Sequence, residues 1–230
     1  MPNITPSPAL SYVAGAFLGD GGLIESSAYH YELRFRVRDR DFAEHFSKCV
    51  RLIIGKPKDV KTDAKGFFIV RFWSRLLFEF MSDWNSIVDT TERFPAQFIR
   101  GFADAEGSPA VSVGRSRKLG LIIVMVNTNR SLLEYVQNLL RDRFAIESHI
   151  YLEKKLCRMW SKLPCYHLVI GRRVDQKRFA RHIGFLIERK QEKLNVALSL
   201  LGNHTPRAAA IGWERLFMKR GRHWTRQDTH

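Results

Sequence analysis

From Tyr31 to Arg38 the chain alternates with a period of two, Leu33, Phe35 and Val37 interleaving with Arg34, Arg36 and Arg38. That spacing predicts a strand buried on one side only. The period then lengthens: behind Asp39, apolar Phe42, Phe46 and Val50 recur at i, i+4 and i+8, which predicts a helix with Asp39 as its N-cap. The same succession returns later as a strand from Leu119 to Val126, then a helix behind Asn129 carrying Leu132, Val136 and Leu140. A hairpin signal follows each helix, Lys58 to Thr62 with Phe67 to Trp73, and Ile146 to Glu153 with Tyr166 to Arg172. Each strand is also preceded by a helix signal. Pro8 after Ser7 and Pro95 after Phe94 suit a first helical turn, where a missing N–H has no partner to lose. Gly21 and Gly107 mark the ends, expected as left-handed terminal residues. Two helices of about three turns result.

These two helices are copies. Val13-Ala14-Gly15-Ala16-Phe17-Leu18-Gly19-Asp20-Gly21 returns 86 positions on as Ile99-Arg100-Gly101-Phe102-Ala103-Asp104-Ala105-Glu106-Gly107. Each half reads helix, two strands, helix, two strands, helix. The expected fold class is α+β: two αββαββα subdomains related by a pseudo-twofold axis, residues 1–92 and 93–202, with the copied helices packed at their interface. A four-stranded sheet with helices on one face needs that face sealed, so neither half is expected to stand alone. Val174 to Ile183 and Ile187 to Leu201 read as helices, and residues 203–230 form a tail with no counterpart in the first half. That tail holds six basic residues against two acidic ones.

In the copied helices the small residues fall at i and i+4, Gly15 with Gly19 and Gly101 with Ala105, a stripe on which another backbone lies close. Interior glycine costs a helix about 1 kcal/mol relative to alanine, so its use there points to packing. Asp20 and Glu106 occupy the last turns, at the negative end of each helix dipole, where a carboxylate is disfavoured by about 0.3–1 kcal/mol. Packing along the stripes also brings the two acids together, where they repel. An arrangement twice unfavourable makes sense around divalent cations: carboxylate oxygens with water positions to spare suit Mg²⁺ and phosphate oxygens. A tight helix crossing without chemistry is the bland alternative. Asp104 has Leu18 as its counterpart and is expected to play a structural or supporting part.

The chain has 230 residues and 38 Lys and Arg against 23 Asp and Glu, a net charge of +15. Such an excess favours a polyanionic partner, nucleic acid first, over a merely soluble basic protein or an anionic-membrane binder. No stretch approaches the ~18 apolar residues of a membrane span, and Met1 to Leu10 lacks a signal-peptide pattern. A cytoplasmic or nucleoid-associated, not secreted, protein is expected. Cys49, Cys157 and Cys165 form neither a disulfide framework nor a zinc pattern, the eight histidines have no metal-ligand spacing, and no phosphate-cradling glycine loop opens a helix.

The duplicated segments, in register on a repeated topology, resemble the signature helices of the LAGLIDADG homing endonucleases in their monomeric, two-motif form. The likeness runs to about Leu201. It implies an intron-encoded, site-specific endonuclease that lays a saddle-shaped antiparallel sheet surface on double-stranded DNA. Such an enzyme cuts both strands of a long target across the minor groove with Mg²⁺, for which Mn²⁺ substitutes and which Ca²⁺ replaces without supporting cleavage. On this pattern Asp20 and Glu106 are the catalytic, metal-binding acids, with Gly19 and Ala105 before them in the metal site. Asn127 fits the polar residue that orders active-site solvent, while Val37 occupies the matching place in the first half. Lys190 resembles the basic residue near the scissile phosphates, with a solvated helix residue as the alternative, and Asn85 to Thr91 offers no equivalent. Relatives that act as maturases on host intron RNA, or as non-cleaving regulators, are the other expectation.

The strand pattern places the charges. Arg34, Arg36 and Arg38 on one face suit a major groove, where arginine pairs bidentately with guanine, and Glu25 and Glu32 are expected to accept from cytosine on the same surface. Arg71 and Arg172 extend this face on neighbouring strands. Arg115, Arg117 and Lys118 form a basic turn, and Lys154, Lys155 and Arg158 in a longer loop suit outer phosphates. Trp160 in that loop is either part of this surface or a loop anchor. Arg215, Lys219, Arg220 and Arg222 flank Trp213, Phe217 and Trp224, so the tail either docks its aromatics on the core or forms a flexible arm.

Overall fold

The computed structural model describes residues 2–25, 30–153, 163–221 and 223–227. The first half runs α1 (Pro8–Asp20), β1 (Gly21–Glu25), β2 (Tyr31–Val37), α2 (Arg40–Ile54), β3 (Val60–Thr62) and β4 (Phe68–Trp73), then two short helices, α3 (Arg75–Ser82) and α4 (Trp84–Arg93). The second half repeats the order: α5 (Pro95–Glu106), β5 (Gly107–Val113), β6 (Leu119–Asn127), α6 (Arg130–Phe144), β7 (His149–Leu152), β8 (Tyr166–Ile170), α7 (Arg173–His182) and α8 (Glu188–Asn203). Each half forms a four-stranded antiparallel sheet, ordered β1-β2-β4-β3 and β5-β6-β8-β7. The closing helix expected of the first half is two, because Asp83 ends α3 and its side chain caps α4, accepting from the Asn85 and Ser86 amides.

The sheets bury the predicted positions. Leu33 and Phe35 are fully buried and Val37 nearly so, with Phe35 stacked on Phe46 of α2 at 3.8 Å between ring centres. In the second sheet Leu119, Leu121, Ile123 and Met125 point inward. Between the subdomains α1 crosses α5 on the small-residue stripes. A Cβ on Gly15 would lie 2.0 Å from the Phe98 carbonyl oxygen, and one on Gly101 would lie 2.3 Å from that of Tyr12. Only glycine allows backbones this close, which explains its presence inside two helices.

Gly21 and Gly107 depart from expectation. Their φ angles are −90° and −99°, extended and not left-handed, because each helix passes directly into a strand. Glycine is required there for space: a Cβ would lie within 2.5 Å of Phe17 or of the Ala103 carbonyl oxygen. Asn129 caps α6 as expected, accepting from the Leu132 amide, whereas Asp39 makes no side-chain cap and turns its carboxylate to Arg189 instead.

The tail is folded. Among the described residues it forms α9 (Pro206–Leu216) and a hairpin of β9 (Phe217–Arg220) with β10 (His223–Arg226). Trp213 is fully buried, stacked on Phe217 at 3.9 Å with the Trp224 ring edge-on, so the docked arrangement holds and the flexible arm does not.

Candidate active site and nucleic-acid surface

The α1–α5 crossing delivers Asp20 and Glu106 to one place. A Cβ on Gly19 would lie 2.4 Å from that of Ala105 and 3.0 Å from Cγ of Glu106, so the two last turns lie against each other. Asp20 is solvent-exposed as a residue, yet the protein packed around its carboxyl lifts it to about 6, with Lys190 opposing the rise and Asp39 adding to it. Burial lifts Glu106 to about 7, and the neighbouring Asp20 charge contributes. The carbonyls of Gly19 and Ala105 belong to these last turns, whose C=O groups lack helical partners. Among the described residues no cluster of three or more His, Cys, Asp or Glu side chains forms, so the protein's side-chain donors are the two carboxylates. That donor set fits Mg²⁺, which keeps waters and takes phosphate oxygens in its remaining positions.

Two flanking groups differ between the helices. Asn127, at the end of β6, donates from Nδ2 to Oε1 of Glu106 at 2.9 Å and accepts the Asn129 amide at 2.8 Å, which fixes its orientation. Val37, the matching residue of β2, is core. Lys190 is 6% exposed, and Nζ donates to the Asp104 carbonyl, which overturns the solvated alternative: the first turn of α8 is wedged against α5. Burial lowers its ammonium to about 8, held up by the charges of Asp104, Asp39 and Asp20. Arg189, Lys190 and Lys193 line one side of a cleft of about 390 Å³ opposite Ser108 to Val111, with Trp224 also on its wall.

Sequence reasoning missed what holds this frame together. Asp104 accepts from the Tyr12 hydroxyl at 2.9 Å and from the Leu186 and Ile187 amides at 2.9 and 3.3 Å, tying α1, α5 and the start of α8 at one buried carboxylate. Arg189 clamps Asp39 at 2.5 and 2.7 Å, and Asp41 accepts the Glu188 amide, so α8 reaches across to the first subdomain. The asymmetry of Asp104 against Leu18 was the visible signal; its partners, more than 80 residues away in sequence, were not.

The outer face of the first sheet carries Arg34 and Arg36 beside Arg71 on β4 and Lys61 on β3, in register. Arg38 is exposed just beyond β2, its guanidinium 5.0 Å from the Phe67 ring centre. Like charges crowd this face, and acids relieve them: Glu32 accepts from Arg34 and Arg71 at 2.9 Å, and Asp63 accepts from Arg36 at 2.7 and 2.8 Å. Glu32 is therefore an ion-pair centre within the face, 5% exposed, and not a free acceptor. Glu25 does not share its surface: it pairs with Tyr31 and Glu32 with Ile24, and residues one apart on a strand point to opposite faces. Arg172 also leaves the surface. Strand β8 ends at Ile170, and Arg172 turns to the buried Asp175 of α7 at 2.6 Å. Arg115 and Lys118 are exposed at the β5–β6 turn, while Arg117 pairs with Glu214 of α9 at 3.2 Å. Lys154, Lys155, Arg158 and Trp160 lie outside the described residues.

Residues 93–184 match the family model of the LAGLIDADG-like domain. The second half is thus similar to that domain, and the chain has the two-subdomain LAGLIDADG fold. The homing endonuclease I-DmoI, solved in complex with DNA and Mn, superposes with a TM-score of 0.58 at 20% identity, over 78% of this chain and 97% of that one. The LAGLIDADG meganuclease I-AabMI, bound to uncleaved DNA, gives 0.59 at 14% identity over 90% and 96%. Full-length DUF199/WhiA from Thermatoga maritima gives 0.54 at 16% identity over 85% of this chain and 61% of that one. By sequence, an uncharacterised protein of Methanocaldococcus jannaschii is 28% identical over 216 residues, 88% of this chain and 76% of the relative. No helix among the described residues is long and apolar enough to cross a membrane.

Proposed function

We propose that this chain is a site-specific, divalent-metal-dependent double-strand DNA endonuclease of the homing type, acting as a monomer from inside the cell. The observation that carries it is the acid pair: two carboxylates, both raised by burial, abutting where two helices cross on glycine. A carboxyl that is hard to ionise in the bare protein and open to a phosphodiester is what a cation-dependent site requires. Asp20 and Glu106, with the Gly19 and Ala105 carbonyls, would hold Mg²⁺, with Mn²⁺ as a substitute and Ca²⁺ as a non-catalytic occupant. Bound there, the metal supplies charge stabilisation for the scissile phosphate and lowers the pKa of attacking water. Asn127 orients Glu106. Lys190 places a positive charge beside Asp20, toward the phosphate that the acid serves. Arg34, Arg36, Arg38 and Arg71 contact one side of the duplex in the major groove, and Arg115, Arg117, Lys118 and the 154–158 lysines and arginine contact its backbone.

The fold also occurs in DUF199/WhiA, and fold alone does not assign chemistry. A non-cleaving DNA-binding regulator, or a maturase on the host intron RNA, is therefore the second reading. Purified protein incubated with intronless flanking DNA and Mg²⁺ separates them. Cleavage at the insertion point that is abolished in Asp20→Asn and Glu106→Gln, with duplex binding retained, supports the endonuclease. Binding to duplex or intron RNA with no cut in any divalent metal overturns it.

A further inference from the structure

The outer faces of the two sheets are related by the pseudo-twofold axis but opposite in chemistry. On the first, the positions pointing away from the helices include Arg34, Arg36, Arg71, Lys61, Glu32 and Trp73 beside Ile24 and Ile69, Trp73 being 54% exposed with its indole N–H donating to His30 at 2.9 Å. On the second, the equivalent rows carry Ile122, Val124 and Val126 on β6 with Ala110 of β5 and Val169 of β8 beside them, while Ser108 and Ser112 lie on β5 and His167, His149 and Tyr151 on the two far strands. Ile122 is 39% and Tyr151 55% exposed, and none of the outward positions on the described strands is Lys, Arg, Asp or Glu. The row along β6 is aliphatic and is bordered by His167, which pairs with Glu153 at 3.3 Å; such a row left open in a chain of net charge +15 calls for an occupant.

We infer that this face reads thymine. The inference rests on the duplex-binding reading above and specifies its substrate: a target asymmetric in composition, with guanines facing the first sheet and A·T pairs, presenting thymine methyl groups, facing the second. Two observations select DNA as the occupant. Strand β1 leaves α1 directly after Asp20 and β5 leaves α5 directly after Glu106, so both sheets start from the acid pair and a duplex centred on that pair meets both. The open end of the second face is flanked by the exposed Arg115 and Lys118, cations placed for the phosphates beside the aliphatic row of β6. In the major groove the thymine C5-methyl is the one apolar group that a base pair presents, and aliphatic side chains are its complement, whereas guanine offers two acceptors that arginine fits. Glu32 and Asp63 hold the arginines of the first face in place, so that they arrive ordered and need not be fixed on binding.

Selection of bound duplexes from a randomised library by the full chain, in Ca²⁺, tests the composition; Arg34→Ala and Ile122→Ala identify which half each sheet reads. On the selected site, deoxyuridine in place of thymine removes the methyl alone, and 7-deazaguanine removes one acceptor. Deoxyuridine should weaken binding by about fourfold per contacted methyl in the half assigned to the second sheet and leave the other half unchanged. 7-Deazaguanine should weaken binding by about tenfold in the half assigned to the first sheet only. Equal effects in both halves, or none, overturn the inference while duplex binding stands, and so does Ile122→Ala acting on a protein partner but not on DNA. Absence of any duplex selection overturns the endonuclease reading and this inference with it.

Discussion

The two halves of the molecule share one topology and differ where they meet the centre. Both send an acid to the crossing, but among the described residues only Glu106 has an amide, Asn127, holding its carboxylate, and only the second half sends a lysine, Lys190, toward that centre. At the third position after its cap, where α8 has Lys190, helix α4 has Ser86, turned back to Asp83. Where Asp104 stitches α5 to the start of α8, Leu18 meets a cavity of about 490 Å³ with Trp84 on its wall. Duplication thus repeated the scaffold and the paired acids, and left the surrounding polar groups free to diverge.

The most drastic way to break the comparison is to equalise the halves at zero. Asp20→Asn and Glu106→Gln should each lower cleavage by about 10³-fold or more, measured on a plasmid carrying the target, with binding in Ca²⁺ retained. If one variant instead gives a stable nick, each acid serves its own strand; if both abolish nicking as well, the acids act as a unit. Asp104→Ala tests the stitched side. It strands the Tyr12 hydroxyl and frees two amides, and should cost about 3 kcal/mol in urea unfolding, whereas Leu18→Ala at the open cavity should cost about 2 kcal/mol or less. Asn127→Ala should slow cleavage about tenfold without loss of stability, because a partly exposed orienting amide is removed and no core group is uncovered.

Metal-free protein offers a pH test of the same centre. Asp20 and Glu106 are raised in the fold to about 6 and about 7, so between their unfolded values near 4 and those points the folded chain binds protons the unfolded chain has released. Stability from this source is full below about pH 4 and declines as pH rises through 6 to 7. Unfolding free energy should fall by about 2 kcal/mol from pH 5 to pH 8, solvent at Asp20 screening part of the effect. The double variant Asp20→Asn, Glu106→Gln should flatten that slope, and Mg²⁺ at pH 8 should restore stability to the native protein alone.

What could be read in advance follows from range in sequence. The copied helices, their glycine stripe and the inward side of β2 were legible because each is a local period, and duplication showed that the spacing of the two acids was no accident. Asp104 was legible only as an asymmetry, since its meaning lies in amides 82 and 83 positions away. Arg34 and Arg36 were placed on the correct face, but the acids that tame them were not: Asp63 lies 27 residues on. Glu25 was misplaced by parity, a one-residue matter that only the β1–β2 register settles. The tail's aromatics gave no period at all, and the stacking of Trp213 on Phe217 emerges only once the chain turns between helix and hairpin.

Arg172 gives the smallest expected effect and the sharpest control. It and Arg71 follow the middle of equivalent fourth strands, and a comparison by sequence alone would give them one role. Arg71 stays on its strand, faces Arg34 and shares Glu32. Arg172 lies past the end of β8 and pairs with Asp175 on the helix side. Arg71→Ala should therefore weaken duplex binding and reduce its dependence on salt concentration, the slope of log affinity against log salt changing by about one charge if the contact is to phosphate. Arg172→Ala should leave both affinity and slope unchanged, and its cost should appear in folding: Asp175, fully buried, keeps Arg178 at 3.4 Å as a partner, so a loss of about 1 kcal/mol is expected and not the several that an abandoned buried charge would bring. A salt slope altered by Arg172→Ala would place the end of β8 on the duplex and erase the distinction between the two strands.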